Sequence, residues 1–144
     1  MNVMIVSICA CVISQLIKVI ITSVQKKRLD FHALIATGGM PSSHSAIVSA
    51  LVTSVAIVEG LESVAFGISV IFALTVLLDA AGLRRSVGKQ AVILNRIVKE
   101  LKERRAISDF EQEPHELIGH TALQVIAGAC LGVAVAYLWL PFLA

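Results

Sequence analysis

Residues 1–24 read "MNVMIVSICACVISQLIKVIITSV", and Lys18 is the only charged side chain among them. A helix of about 20 mostly apolar residues is long enough to cross the hydrocarbon core of a bilayer. This stretch therefore predicts a membrane-spanning helix over residues 2–24. No Lys or Arg precedes the apolar run and no Ala-x-Ala site follows it, so we interpret it as a retained helix and not as a secretory signal.

Three further runs carry no charge: 45–58 ("SAIVSALVTSVAIV"), 63–78 ("SVAFGISVIFALTVLL") and 121–144. The first two flank the short turn "EGLE" and predict a helical hairpin. The chain is 57% hydrophobic and 15% charged, which departs from ordinary soluble domains in the direction of the bilayer. We predict an all-α fold, an integral membrane helical bundle that forms one domain over 1–144. About four transmembrane helices are expected, near 2–24, 44–59, 63–82 and 119–143.

The basic residues indicate an orientation. Of the twelve Lys and Arg residues, three lie at 26–28 and eight at 84–105. Because basic residues stay on the cytoplasmic side of a membrane, segments 25–44 and 79–120 are predicted to be cytoplasmic. Apolar residues recur at helical spacing within 84–105, which predicts a cytoplasmic amphipathic helix on anionic headgroups. A solvated helix packed on its neighbours is the alternative.

The segment "ATGGMPSSHSA", residues 36–46, carries more chemistry than a connector between helices needs. Ser42 or Ser43 is a good N-cap for the helix that follows. The N-terminus of a helix binds phosphate readily, and serine hydroxyls add donors. Gly39 lets the backbone approach a ligand closely, and His44 is expected in the first turn. A serine-capped helix start with no ligand is the purely structural interpretation.

Other polar residues are predicted on the same side of the membrane. His120 opens the last predicted helix, and Gln124 lies one turn further along, where its oxygen could orient the imidazole. Arg84 and Arg85 suit phosphate by charge and geometry, or they anchor the chain at the cytoplasmic face. Lys18 is an ionisable group within an apolar run, which is either functional or a snorkelling side chain.

The simplest chemistry for two histidines, a serine-capped helix start and several cations is binding and cleaving a phosphate ester. The three cysteines have no metal-ligand spacing, and neither a metal nor another cofactor is expected. Gly128, Gly132 and Ala136 recur every four residues and predict a helix-packing surface.

Three motifs, "GGMPSSHS", "DAAGLRRSVGKQ" and "GHTALQVIAG", in this order resemble the divergent branch of the type 2 phosphatidic acid phosphatase family. That family is related to acid phosphatases and vanadium-dependent haloperoxidases, and the resemblance covers essentially the whole chain. It implies that His120 is the nucleophile and His44 the acid, with Ser43 in place of the glycine of the family's Pro-Ser-Gly-His motif. Position 124, where the family has an aspartate, is Gln in this chain. The family's Lys-x6-Arg-Pro motif is absent from the sequence.

Two hypotheses of different classes follow. The first is a phosphoric monoester or pyrophosphate hydrolase that acts on a lipid phosphate at the cytoplasmic leaflet. The alternative is a non-catalytic membrane protein that binds or moves anionic lipids with a retained phosphate-binding fold; a small transporter is a third and weaker one. Membrane lipids and a lipid phosphate are the expected partners, and nucleic acid is not. A homo-oligomer is expected, because four helices offer limited surface to enclose a substrate.

Overall fold

The computed structural model describes residues 2–27, 39–103 and 121–143, and within these ranges all regular structure is helical. A five-residue π-helical segment, Asp79–Leu83, joins the third helix to the fourth. The five α-helices are α1 (Asn2–Lys26), α2 (Ser43–Glu59), α3 (Val64–Leu78), α4 (Arg84–Glu103) and α5 (Ala122–Leu143). The prediction of an all-helical fold is confirmed.

Helix α2 lies at the centre of the bundle and contacts α1, α3 and α5. It meets α3 through a tight turn at Gly60, whose φ of +84° is a conformation that favours glycine, and Ser63 caps the start of α3. The predicted hairpin is therefore present. Helix α1 also contacts α5, so α1, α2 and α5 form a three-helix core with α3 against one side.

The directions of these helices follow from which residues meet. Gly128 of α5 lies against Ser42 and Gly132 lies against Ala46, so α5 runs parallel to α2. Helix α1 runs antiparallel to α2, since its second half meets the segment before α2 while Val6 packs in one cluster with residues further along α2. The N-termini of α2 and α5 consequently lie at the same end of the bundle.

Burial in this bundle is the reverse of that in a soluble domain. The buried apolar residues are mostly small, alanine above all, whereas many large apolar side chains are exposed on the outside. The buried polar or charged residues are Ser7, Ser14, Lys18, Ser42, Ser43, Ser45, Ser54 and Ser69. An apolar exterior around a small, polar interior is the arrangement expected where lipid, not water, surrounds the helices.

Two helices in the described ranges are long and apolar enough to cross a membrane, over Asn2–Gln25 and Ala122–Trp139. Helices α2 and α3 are apolar but shorter, with 17 and 15 residues. The helix predicted over 63–82 is α-helical only to Leu78, because the chain widens into the π-helical segment there. Helix α4 confirms a helix in the predicted 84–105 region, although residues 104 and 105 lie outside the described ranges.

Candidate functional site

The segment that starts α2, residues 39–43, is held in place by hydrogen bonds of Ser42. Ser42 is the N-cap: its Oγ accepts a hydrogen bond from the backbone N–H of Ser45 at 3.3 Å, as a capping serine does. Its own N–H donates to the carbonyl oxygen of Gln124 at 3.1 Å. Ser42 is fully buried. One residue thus starts α2 and ties it to the first turn of α5, which confirms the predicted cap.

One face of α1 supplies two more hydrogen bonds to the same segment. Ser14 Oγ donates to the carbonyl oxygen of Pro41 at 3.3 Å, and Gln15 Nε2 donates to Ser43 Oγ at 3.3 Å. Buried polar groups normally have partners, yet Gln15 Oε1 and Ser45 Oγ are buried without a hydrogen-bond partner in the part of the chain that the structure describes. Polar atoms that could contact a ligand therefore lie next to this segment.

Lys18 lies one turn along α1 from Ser14 and is only 2% exposed. Its aliphatic stem packs on Gly39: a Cβ placed on that glycine would lie 3.3 Å from Lys18 Cγ and 3.4 Å from Cδ. Gly39 also has a φ of +89°, which side-chain-bearing residues rarely adopt. Glycine at 39 is thus favoured by both its backbone conformation and the closeness of Lys18.

The start of α5 is closed by a reciprocal pair of hydrogen bonds. The Thr121 N–H donates to Gln124 Oε1 at 3.0 Å, and the Gln124 N–H donates to Thr121 Oγ1 at 3.4 Å. This is a capping box, in which a hydroxyl residue and a Glu or Gln three residues later satisfy each other's N–H groups. The oxygen predicted to orient His120 therefore already accepts one hydrogen bond. His120 lies outside the described residues, so that role of Gln124 stays a prediction.

Two glycines allow α5 to lie directly against α2, which confirms the predicted packing surface. A Cβ on Gly128 would overlap the carbonyl oxygen of Ser42, and one on Gly132 would overlap the carbonyl oxygen of Ala46. Close backbone approach of this kind is the usual function of small residues between membrane helices. It brings the positive dipole ends of two parallel helices to the same place, which favours an anion there.

A model of the divergent PAP2 family matches residues 1–135, so the match includes α1, the segment that starts α2 and most of α5. The chain belongs to the divergent PAP2 family. It is 40% identical over 136 residues to a protein of Bacillus subtilis (strain 168) described as the uncharacterized membrane protein YuiD. That alignment covers 88% of this chain and 86% of the relative. No solved structure matches the chain.

Family membership and the two long apolar helices make this a phosphatase-related membrane protein. Of the residues predicted for its site, the structure brings together Lys18, Gly39, Ser42 and Ser43, with the Gln124 backbone beside them. His44 is the second residue of α2 and half-buried, in the first turn as predicted.

The remaining predicted residues are less defined. Arg84 and Arg85 begin α4, but their side chains lie outside what the structure describes, as does His120 entirely. No group of three potential metal-ligating side chains occurs in the described ranges.

Sequence reasoning did not single out Ser14 or Thr121. The capping box had a visible signal, Thr-x-x-Gln before an apolar run. Ser14 had none, since a serine in a membrane helix most often bonds its own backbone.

Proposed function

We propose that this protein hydrolyses a phosphate monoester or pyrophosphate of a membrane lipid at the cytoplasmic leaflet. One observation carries the proposal: the buried Lys18 packs on Gly39 in the segment that starts α2, near the N-termini of α2 and α5. A buried cation beside two helix N-termini is an electrostatic environment that suits a phosphate group. Family membership supports a phosphatase-related chemistry for that group.

The proposed binding groups come from three helices. Lys18 from α1 offers charge, Ser43 at the start of α2 offers a hydroxyl, and the first turns of α2 and α5 offer backbone N–H groups. Gln15 Oε1, buried without a partner within the described ranges, suits the protonated oxygen of a phosphate monoester. Arg84 and Arg85 are proposed to add cations from the start of α4, in place of the motif that the chain lacks.

The proposed chemistry uses two imidazoles. A nitrogen of His120 attacks phosphorus, the bond from phosphorus to the leaving oxygen breaks, and His44 donates a proton to that oxygen. Water then attacks the phosphohistidine, which releases inorganic phosphate and restores the free imidazole of His120. His44 takes up the proton that the water loses. No metal takes part in this scheme.

The proposal includes four membrane crossings. Helix α2 has 17 residues, or about 26 Å, slightly less than the hydrocarbon core. Helix α3 continues into the π-helical segment, and together they extend from Val64 to Leu83. With four crossings, residues 26–28 and the basic helix α4 both lie on the cytoplasmic side.

The experiment is phosphate release from a panel of lipid phosphates and pyrophosphates by protein purified in detergent. We expect release by the native protein, loss in His120→Ala, and loss of at least tenfold in Lys18→Met. Lys27→Gln is the matched control, because Lys27 is an exposed lysine near the end of the same helix. Background release by the native protein, or equal release by the native protein and His120→Ala, would contradict the proposal.

A second pair of variants tests the packing of Gly39 on Lys18. Gly39→Ala introduces both backbone strain and a close contact with Lys18, whereas Gly60→Ala introduces strain with nothing within 4 Å. We expect Gly39→Ala to reduce phosphate release much more than Gly60→Ala does. Similar losses of phosphate release in the two variants would show that backbone strain alone causes them and that the contact with Lys18 does not contribute.

The alternative function is binding of an anionic lipid without turnover. It is favoured by Gln124, whose side-chain oxygen is engaged in the capping box and which carries no charge to stabilise an imidazolium. Under this alternative, native protein binds a lipid phosphate in an equilibrium binding assay and forms no product. Lys18→Met would weaken that binding, and His120→Ala would leave it nearly unchanged.

A further inference from the structure

Helix α4 differs from the other helices in having one apolar face and one basic face. At helical spacing its large apolar side chains, apart from Val92, occupy one arc, and every Lys and Arg lies outside that arc. Much of the apolar arc is uncovered, and Ile93 is 60% exposed. The exposed members are Val87, Ile93, Leu94, Ile97 and Leu101.

The rotation of α4 is fixed by its contact with the rest of the chain. Ala91 and Val98, two turns apart on one side of the helix, are both buried. The π-helical segment contacts α4, and its Ala80 is also buried. Because the packed side is already defined, the exposed arc lies beside it and not on it. A simple roll of α4 would bury Ile93 only by exposing Ala91 and Val98.

The opposite side of α4 is strongly basic. The helix contains six Lys and Arg residues and two Glu residues. Arg96 approaches Glu100 at 3.9 Å, but both side chains are largely exposed, and an exposed ion pair of this kind contributes little. Lys99 is exposed as well, and helical spacing places the excess of positive charge on the side of α4 opposite the exposed apolar arc.

We propose that α4 lies flat on the membrane, with its exposed apolar arc in the acyl-chain boundary and its basic side among anionic lipid headgroups. Charge complementarity favours an anionic lipid surface over a second apolar protein face. Position favours it too: α3, which exposes Leu74 and Leu78, leads into α4 through only five residues. This inference does not depend on the proposed hydrolysis.

Tryptophan fluorescence tests the depth of the apolar arc in full-length protein reconstituted into vesicles. Trp139 is the only tryptophan, so Trp139→Phe gives a silent background. We expect Ile97→Trp in this background to be quenched by lipids brominated on the acyl chain and shielded from aqueous acrylamide. Arg96→Trp, on the basic side, is the matched control and should show the opposite preference. Ile93→Trp repeats the test at a second exposed position if Ile97→Trp does not fold.

Anionic selectivity is tested in vesicles that mix phosphatidylcholine with phosphatidylglycerol. With Ile97→Trp we expect brominated phosphatidylglycerol to quench about twofold more strongly than brominated phosphatidylcholine, because each basic residue near the surface attracts anionic headgroups. The difference should shrink with added salt and with Lys99→Gln.

Three results would overturn the proposal. Equal quenching by the two brominated lipids would exclude anionic selectivity. Quenching of Ile97→Trp by acrylamide would place the arc in water. Protection from both lipid and acrylamide would mean that protein, either another part of the chain or a second copy, covers the arc.

Discussion

Substitution of Gly128 by alanine tests whether direct contact between α5 and α2 holds the site together. The added Cβ would overlap the Ser42 carbonyl oxygen and lie 2.9 Å from Ser45 Cβ. Carbon atoms rest about 3.5 Å apart or more, so the helices must separate by at least about 0.6 Å. The obstructing oxygen belongs to the backbone, so no rotamer change can relieve the overlap.

The loss of stability expected for Gly128→Ala is the sum of two free-energy costs. Overpacking of a tight interface costs about 1–3 kcal/mol. The same separation would stretch the 3.1 Å hydrogen bond from the Ser42 N–H to the Gln124 carbonyl oxygen to about 3.7 Å, too long for a hydrogen bond. Its loss adds about 0.5–1.5 kcal/mol. Together the clash and the lost hydrogen bond cost about 1.5–4.5 kcal/mol, which corresponds to a change of about 10-fold to 1600-fold in the unfolding equilibrium.

Gly67→Ala is the matched control for the same measurement. Gly67 is also a helical glycine, in α3, but a Cβ there meets nothing within 4 Å. Both variants gain about 1 kcal/mol of helix propensity, so their difference isolates the clash. Unfolding free energies come from titration of detergent-solubilised protein with sodium dodecyl sulfate, followed by circular dichroism. If Gly128→Ala is as stable as Gly67→Ala, α5 does not lie against α2 as described.

Three further predictions concern the hydrogen bonds of the site. Ser42→Ala should lower the free energy of unfolding by about 0.5–2 kcal/mol. The loss should exceed that of Ser63→Ala, because Ser42 is fully buried and Ser63 is not. The same titration measures both variants. Gln15→Leu should cost no more than about 1.5 kcal/mol in that titration, since one hydrogen bond to Ser43 is lost and an unpartnered oxygen is removed with it. Thr121→Ala should remove one half of the capping box and speed amide hydrogen exchange in the first turn of α5, with exchange in α3 unchanged.

The helices of this fold could be predicted from the sequence because each depends on a local signal. Long apolar runs predicted α1 and α5, and the turn "EGLE" between two uncharged runs predicted the hairpin of α2 and α3. Ser42 or Ser43 was expected as a cap because the two serines follow Pro41 directly before an apolar run. Glycines at four-residue spacing predicted the packing face of α5. Each of these patterns lies in the same stretch of chain as the helix, turn, cap or packing face that it predicts.

The details of the site depend on contacts between distant residues, and no local pattern specifies them. The hydrogen bonds from Ser14 and Gln15 join residues separated by 27 and 28 positions. The packing of Lys18 on Gly39 also joins residues that are far apart in the sequence. The sequence alone is equally compatible with a Lys18 side chain that reaches the membrane surface. The sequence did not predict the π-helical segment, since the apolar run at 63–78 indicates a helix near 63–82 and carries no signal for a wider one.

The contacts that stabilise this bundle are the same contacts that shape its candidate site. Lipid chains are as apolar as leucine, so apolar side chains give little reason for helices to associate in a bilayer, and close packing and hydrogen bonds must do so instead. In the described ranges, those interactions concentrate where α1 and α5 meet the start of α2, at Ser42, Gly128 and Lys18. A substitution there can abolish activity by loosening the bundle or by removing a group that binds phosphate. Only variants that keep the fold intact, judged against controls such as Gly67→Ala and Lys27→Gln, separate the two causes.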